Sequence, residues 1–137
     1  MPRAVLDPNV LVSALISSAG ASAQLLVAVR AGAFELVTSP LLLAELGDVL
    51  GREKFRRYAT EAEVEAYVLL IRRESVVVDD PEPTEPLGED PDDEYLIALA
   101  RAARVKALVS GDPHVLRLRD QIPALTPREF LELLEHK

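Results

Sequence analysis

The chain has 137 residues, of which 49% are apolar and 28% charged, and it carries a net charge of −8. Length and composition predict a single globular domain over residues 1–137 with a sizeable core. The negative charge argues against general nucleic-acid binding through a basic surface, but not against a nucleic-acid enzyme whose acids gather at a metal site. Because the chain has no cysteine, disulfides, thiol catalysis and cysteine zinc sites are excluded.

Two features of the sequence bear on its location. The longest apolar runs fall well short of the roughly 18 residues that a membrane span requires. The N-terminus also lacks the basic segment followed by an apolar one that characterises a signal peptide. We therefore expect a cytoplasmic protein.

Short apolar runs alternate with amphipathic segments along the chain. Strands are predicted at residues 4–6, 34–38, 76–78 and 107–109, with a short edge strand within 122–125. Helices are predicted at 8–18, 21–31, from 40 to about 50, 60–73, 90–104 and 126–135, with a short helical segment after residue 112. This alternation implies a parallel sheet covered by helices on both sides, with right-handed crossovers.

Asp7 directly follows the first predicted strand and precedes Pro8, which marks a switch from strand to helix. In open α/β sheets, ligands bind outside the carboxyl ends of the strands, so Asp7 lies where such a fold has its chemistry. Taken alone, an Asp-Pro pair is more commonly a plain helix N-cap. A functional site therefore requires other acids at the same edge.

Three further acids are candidates for that edge. Asp112 closely follows the predicted strand 107–109, so a second strand ends on an acid. Glu45 borders the apolar face of the third helix, and Asp93 heads the apolar face of the fifth. Plainer explanations exist, since Glu45 suits the rim of a helix and the aspartates within 90–93 suit a helix first turn.

Residues 51–58 contain the densest basic cluster, formed by Arg52, Lys54, Arg56 and Arg57. These side chains are candidates for contacts with nucleic-acid phosphates. A solvated helix end is the commoner meaning of such a cluster.

Four carboxylates within a few ångströms of one another would repel and weaken the fold unless a cation neutralised them. Mg²⁺ and Mn²⁺ prefer carboxylate and water oxygens, and such an ion can activate water and neutralise charge on a phosphodiester. Other chemistries fit poorly: the only histidines are His114 and His136, and neither a Gly-rich phosphate loop nor a Walker lysine is present. The residues therefore favour a divalent metal site.

The segments that contain these acids resemble a known family. They are Val-Leu-Asp-Pro-Asn-Val-Leu-Val, Ser-Pro-Leu-Leu-Leu-Ala-Glu-Leu, Asp-Pro-Asp-Asp-Glu-Tyr-Leu-Ile-Ala-Leu-Ala, Leu-Val-Ser-Gly-Asp-Pro and Thr-Pro-Arg-Glu-Phe-Leu. In this order and spacing they cover nearly the whole chain and are similar to PIN-domain proteins, close to the bacterial toxin components of toxin–antitoxin pairs, which include VapC-like ribonucleases. The resemblance implies a three-layer α/β/α fold with a central parallel sheet of about five strands, and metal-dependent cleavage of RNA.

The resemblance also implies site residues. The catalytic and metal-binding acids are Asp7, Glu45, Asp93 and Asp112, and the supporting residues are Asn9 and Ser110. In the expected mechanism the three aspartates bind one Mg²⁺ or Mn²⁺, directly or through water, and Glu45 helps to hold the ion or orients the attacking water. In-line attack on phosphorus follows.

Two departures from the family pattern leave an alternative open. Pro8 stands where the family usually has threonine or serine, and His114 stands where an additional aspartate is common. Neither removes a core ligand, but both motivate a PIN-like scaffold that binds RNA or protein without cutting. The partners that the resemblance implies are an RNA substrate, a small antitoxin protein and further copies of the chain in a homodimer or higher oligomer.

An aspartate-phosphorylated α/β protein is the third interpretation. A haloacid-dehalogenase-type phosphatase needs a second acid two residues after its nucleophile, where this chain has Asn9. A receiver module needs a lysine at the end of a late strand, whereas Lys106 begins one. Both features weigh against this interpretation.

Overall fold

The computed structural model describes residues 1–82 and 94–136. Within these ranges the strands are β1 (Arg3–Leu6), β2 (Glu35–Thr38), β3 (Ser75–Val77), β4 (Ala107–Val109) and β5 (Ala124–Leu125). The helices are α1 (Pro8–Ile16), α2 (Ala21–Arg30), α3 (Pro40–Leu50), α4 (Glu61–Arg73), α5 (Glu94–Ala102), α6 (Pro113–Leu116) and α7 (Pro127–Glu135), with a short 3₁₀ helix at Glu53–Phe55. Asp90, Asp92, Asp93 and the predicted start of the fifth helix lie outside the described residues.

The five strands form one parallel sheet in the order β3-β2-β1-β4-β5. β1 lies at the centre, with Ala4 opposite Leu36 of β2 and Leu6 opposite Val109 of β4. Because all strands run in the same direction, their carboxyl ends meet at one edge of the sheet, which we call the carboxyl edge. The topology confirms the predicted α/β fold.

Helices cover both faces of the sheet. Ala4, Val5 and Leu6 are each fully buried, and successive side chains of a strand point to opposite faces, so neither face of β1 reaches solvent. Away from β1, the rings of Phe34 and Phe130 meet edge to face with centroids 4.9 Å apart, which fixes α7 against the core. The core thus packs on both faces of the strands that lead to the carboxyl edge.

The helix starts follow the predicted local signals. Ser39 caps α3 by accepting a hydrogen bond from the main-chain N–H of Leu42 at 3.2 Å, and Pro40 occupies the first helical position. Thr60 and Thr126 begin α4 and α7 with complete capping boxes. The first helix ends at Ile16, two residues earlier than predicted, because Ser17 is already extended.

The two edge strands are short, and β5 follows Pro123 as predicted. β3 begins at Ser75, one residue earlier than predicted, and its Val76 and Val77 are partly exposed. In the ranges that the structure describes, no single helix is long and apolar enough to cross a membrane; α1 and α2 would meet the length and composition only as a pair bent by 97°.

Candidate functional site

Polar side chains are buried at the carboxyl edge of the sheet. The buried polar and charged residues of the described chain are Asp7, Thr38, Ser39 and Ser110, each at most 4% exposed. Every one of them ends a strand or follows it. Since burying a polar group is costly unless it is hydrogen-bonded, the bonds at this edge determine what it can do.

Asp7 is fixed on all sides by neutral donors. Its own main-chain N–H donates to the carbonyl of Val109 at 2.9 Å, which extends the pairing of β1 with β4. Its Oδ1 accepts the main-chain N–H of Asn9 at 3.0 Å and caps α1, and its Oδ2 accepts the hydroxyl of Ser110 at 2.8 Å. The carboxylate therefore has a defined orientation, and its hydrogen-bond donors from the described residues are uncharged.

The hydroxyl of Ser110 joins Asp7 to Asp112. It donates to Asp7 and accepts the main-chain N–H of Asp112 at 3.0 Å. Oδ1 of Asp112 accepts the main-chain N–H of His114 at 2.9 Å, so Asp112 repeats at α6 the cap that Asp7 makes at α1. Two acids that are distant along the chain are thereby held side by side.

The environment of Asp7 disfavours its negative charge. Burial is the largest cause and raises the pKa of its carboxyl, and the charge of Asp112 raises it further. The hydrogen bonds from Asn9 and Ser110 oppose this rise but do not cancel it. A cation at this point would relieve the strain that burial and repulsion impose.

Glu45 reaches the same region from α3. Its Oε2 accepts a hydrogen bond from the hydroxyl of Tyr95 on α5. Burial raises the pKa of Tyr95, and the hydrogen bond to Glu45 and the charges of Glu45, Asp7 and Asp80 raise it further. Tyr95 thus faces carboxylates from three parts of the chain.

Asp80 and Tyr95 are site residues that the sequence prediction missed. Oδ2 of Asp80 accepts the main-chain N–H of Leu41 at 2.9 Å, in the first turn of α3. Its Oδ1 is buried with no hydrogen-bond donor from the described chain. Asp80 lies shortly after the end of β3, with Val78 and Asp79 between them, so the rule that acids after a strand lie at the carboxyl edge could have pointed to this segment.

The predicted acids are brought together in part. Asp7 and Asp112 are joined, and Glu45 lies nearby through Tyr95, whereas Asp93 is outside the described residues. Among the residues that the structure describes, no three histidine or acidic side chains are spaced to hold one metal ion. The four-acid site remains a prediction.

The basic cluster lies at the other end of α3. This helix starts at the carboxyl edge, and its 11 residues place the following segment about 16 Å away. Arg52, Lys54 and Arg57 are exposed, whereas Arg56 donates to the carbonyl of Leu50 and so closes the end of α3. An RNA chain that contacts this basic cluster would therefore do so about 16 Å from the carboxyl edge where the acids lie.

A cleft of about 380 Å³ opens beside Asp112, between α1, α2 and α7. Its polar lining comes from Asn9, Ser13 and Ser22 as well as Asp112. The cleft therefore adds polar side chains from α1 and α2 beside Asp112.

These features define a parallel α/β domain with acids at the carboxyl edge. The sequence matches the family model for the PIN domain over residues 3–114. This match covers most of the chain, which therefore belongs to the PIN domain family.

Known proteins are similar to the chain over nearly its full length. An uncharacterized protein of Methanocaldococcus jannaschii, MJ1680, is 27% identical over 143 residues, covering 97% of this chain and 92% of that protein. The crystal structure of PAE2754 from Pyrobaculum aerophilum matches 99% of this chain and 97% of its own, with a TM-score of 0.67 and 17% identity. VapBC2 from Rickettsia felis, in a crystal structure bound to a DNA fragment from its promoter, matches 90% of this chain and 98% of its own, with a TM-score of 0.64 and 12% identity. The two structures support the fold.

Proposed function

We propose that this protein is a divalent-metal-dependent endoribonuclease that hydrolyses RNA phosphodiester bonds. The observation that carries the proposal is the buried carboxylate of Asp7 on the central strand, held by neutral donors and joined through Ser110 to a second acid, Asp112. Membership of the PIN domain family supports the same chemistry.

The donor set fits Mg²⁺ or Mn²⁺. All the donors are hard oxygens, and Mg²⁺ commonly binds proteins through one or two carboxylates while keeping waters and substrate phosphates. Asp7 and Asp112 are such a pair, and Glu45 and Asp93 are the further proposed ligands. When bound, the cation supplies an activated water and stabilises negative charge on the phosphate under attack.

The residues of the chain itself have separate roles in this proposal. Asn9 and Ser110 hold the carboxylate of Asp7 in one orientation through their hydrogen bonds. The exposed basic residues beyond α3 contact RNA on the flank of the site. RNA rather than a protein is the expected substrate because a phosphodiester brings the negative oxygens that complete the shell of the ion.

A toxin of a toxin–antitoxin pair is the proposed biological setting. A chain of VapBC2 from Rickettsia felis shares this fold, and VapC-like ribonucleases of toxin–antitoxin pairs are among the proteins that the sequence resembles. We propose by analogy a small antitoxin protein as partner, and a homodimer or higher homo-oligomer as the assembly. A catalytically weak RNA- or protein-binding scaffold is the alternative, because Pro8 removes a hydroxyl that the family usually places beside the first acid.

The proposal is tested by incubating the purified protein with labelled single-stranded RNA and Mn²⁺. We expect endonucleolytic products, complete inhibition by EDTA, and a loss of rate on the order of a thousandfold in Asp7→Asn, because losing a metal ligand removes several kcal/mol of stabilisation.

Asp120→Asn is the matched control, since it removes the same charge from an exposed position. It should cleave at the wild-type rate. Cleavage that persists in Asp7→Asn or in EDTA would contradict the nuclease site, and RNA binding without cleavage would favour the scaffold.

A further inference from the structure

Tyr95 joins two helices that carry proposed site residues. It is the second residue of α5 as described, and its hydroxyl donates to Oε2 of Glu45 on α3, which lies 50 positions earlier in the chain. Within the described chain, this is the hydrogen bond that holds the Glu45 carboxylate. α5 also packs on β1 and β4, the strands that lead to Asp7 and Asp112.

Geometry makes the Tyr95 hydroxyl the donor. The side chain is partly buried, and its hydroxyl lies within hydrogen-bonding distance of Oε2 of Glu45. Because a carboxylate oxygen accepts, the tyrosine donates this hydrogen bond.

A glutamate needs such a partner more than an aspartate does. The Glu45 side chain has three rotatable bonds, whereas Asp7 is short and is fixed by two hydrogen bonds. Ordering a long side chain costs conformational entropy, which a short side chain such as that of Asp7 loses less of. The hydrogen bond to Tyr95 supplies that ordering and occupies Oε2. The other carboxylate oxygen, Oε1, remains available as a metal or water ligand.

We infer that Tyr95 is a positioning residue, whose hydroxyl orients Glu45 so that its second oxygen, Oε1, faces the metal and its bound water. This inference rests on the proposed nuclease function, because it assigns to Glu45 a role toward the ion. Tyr95 does not contact the ion or the RNA in this assignment; it acts through Glu45.

The test compares Tyr95→Phe with Tyr67→Phe. Tyr67 is a matched control because its hydroxyl also donates to one oxygen from another helix, but that oxygen is the main-chain carbonyl of Leu11, at 2.5 Å, and not a carboxylate. Both variants lose one hydroxyl from a packed ring. A merely structural role would affect both alike.

Calorimetric titration with Mn²⁺ alone, without RNA, is the first measurement. We expect Tyr95→Phe to bind Mn²⁺ between about 10-fold and 100-fold more weakly than the wild type, which is the usual effect of losing a residue that orients a ligand. Tyr67→Phe should bind within about twofold of the wild type. Equal binding by Tyr95→Phe and the wild type would overturn the inference.

A double-mutant cycle on the RNA cleavage rate separates positioning from an independent effect. If Tyr95 acts through Glu45, then Tyr95→Phe should have no further effect in a Glu45→Ala background. Effects that multiply would show that Tyr95 acts without Glu45.

A crystal structure of Tyr95→Phe gives a readout that needs neither metal nor activity. The Glu45 carboxylate should leave the position it has in the wild type, and an unmoved carboxylate would overturn the inference. A wild type that neither binds Mn²⁺ nor cleaves RNA would refute the proposed nuclease, and the assigned role toward the ion would fall with it. The crystal structure would then decide only whether Tyr95 orients Glu45.

Discussion

Acids at the carboxyl edge and acids on the outer surface have different partners. On the surface, Glu129 accepts hydrogen bonds from both terminal nitrogens of Arg119 at 2.7 and 3.0 Å. At the carboxyl edge, Asp7 accepts from a main-chain N–H and a serine hydroxyl, and Glu45 accepts from a tyrosine hydroxyl. The surface acid is neutralised by the fold itself, whereas the edge acids are oriented without being neutralised.

This difference shows how one residue type serves two purposes. The partners of Glu129 lower the pKa of its carboxyl, with the main-chain N–H of Thr126 as the first cause and Arg119 as the next. Burial raises the pKa of Asp7. Ionisation of the first group therefore stabilises the fold, and ionisation of the second opposes it, which is the arrangement expected where a cation binds.

The largest expected effect is that of the cation. At a Mn²⁺ concentration about 100 times its Kd, binding to the folded state alone adds about 2.7 kcal/mol of stability. For a domain of this size that corresponds to a rise in melting temperature of roughly 10 °C. Differential scanning fluorimetry with and without Mn²⁺ measures it.

Asp7→Asn should lose most of this rise, and Asp120→Asn should keep all of it, since only the first change touches the carboxyl edge. An unchanged melting temperature of the wild type at millimolar Mn²⁺ would show that the edge acids bind no ion.

The next effect is a gain in stability on removing the buried charge. In EDTA at pH 7, Asp7→Asn should melt above the wild type, because the charge that burial and Asp112 disfavour is gone. The asparagine keeps an oxygen to cap α1 and loses the charge that burial penalises, although its amide group no longer accepts the hydroxyl of Ser110.

The difference in melting temperature between Asp7→Asn and the wild type should depend on pH with a definite sign. Because the folded-state pKa of Asp7 lies above 3.8, wild-type stability relative to Asp7→Asn is greatest below pH 3.8 and is lost as the pH rises through the folded-state pKa. Melting curves from pH 3 to 7 should therefore show that the difference in melting temperature between Asp7→Asn and the wild type grows as the pH rises. A gap that stays constant over this range would contradict burial as the cause.

The smallest effect is expected at the surface. Glu129→Gln should melt slightly below the wild type at pH 7, because Glu129 loses its charged bonds to Arg119. Its folded-state pKa is lowered from 4.5, so this stabilisation is present above pH 4.5 and is lost as the pH falls through the folded-state value.

The same melting series from pH 3 to 7 measures the difference in melting temperature between Glu129→Gln and the wild type, together with the difference for Asp7→Asn. The two gaps should have opposite signs at neutral pH and both should close in acid. Cleavage of RNA by Glu129→Gln should equal that of the wild type.

Much of the fold and part of the site follow from local signals in the sequence. The Asp7-Pro8 and Ser39-Pro40 pairs mark real switches from strand to helix, because a capping side chain and a proline at the first position suit that switch and little else. Once the strands are parallel, their carboxyl ends must share an edge, which is why Asp7 and Asp112 could be placed together.

The rest depends on contacts that no local pattern encodes. The bond from Tyr95 to Glu45 spans 50 positions, and the bond from Leu41 to Asp80 spans 39. Tyr95 looked like an ordinary member of a helical segment, and its hydroxyl acquires a role only when α3 and α5 lie side by side. Helix ends were likewise predicted less well than helix starts, since the last turn of α1 has no cap signal comparable to Asp7.

The place of β1 in the strand order has a consequence for how the site moves. The amide of Asp7 bonds to Val109 in the middle of the sheet, so we expect its hydrogen exchange to be among the slowest in the domain. Asp80 instead follows β3, an outermost strand with two partly exposed valines, where local opening is far easier. The proposed site therefore draws Asp7 from the centre of the sheet and Asp80 from the segment after an outermost strand, so its two sides should differ in local stability.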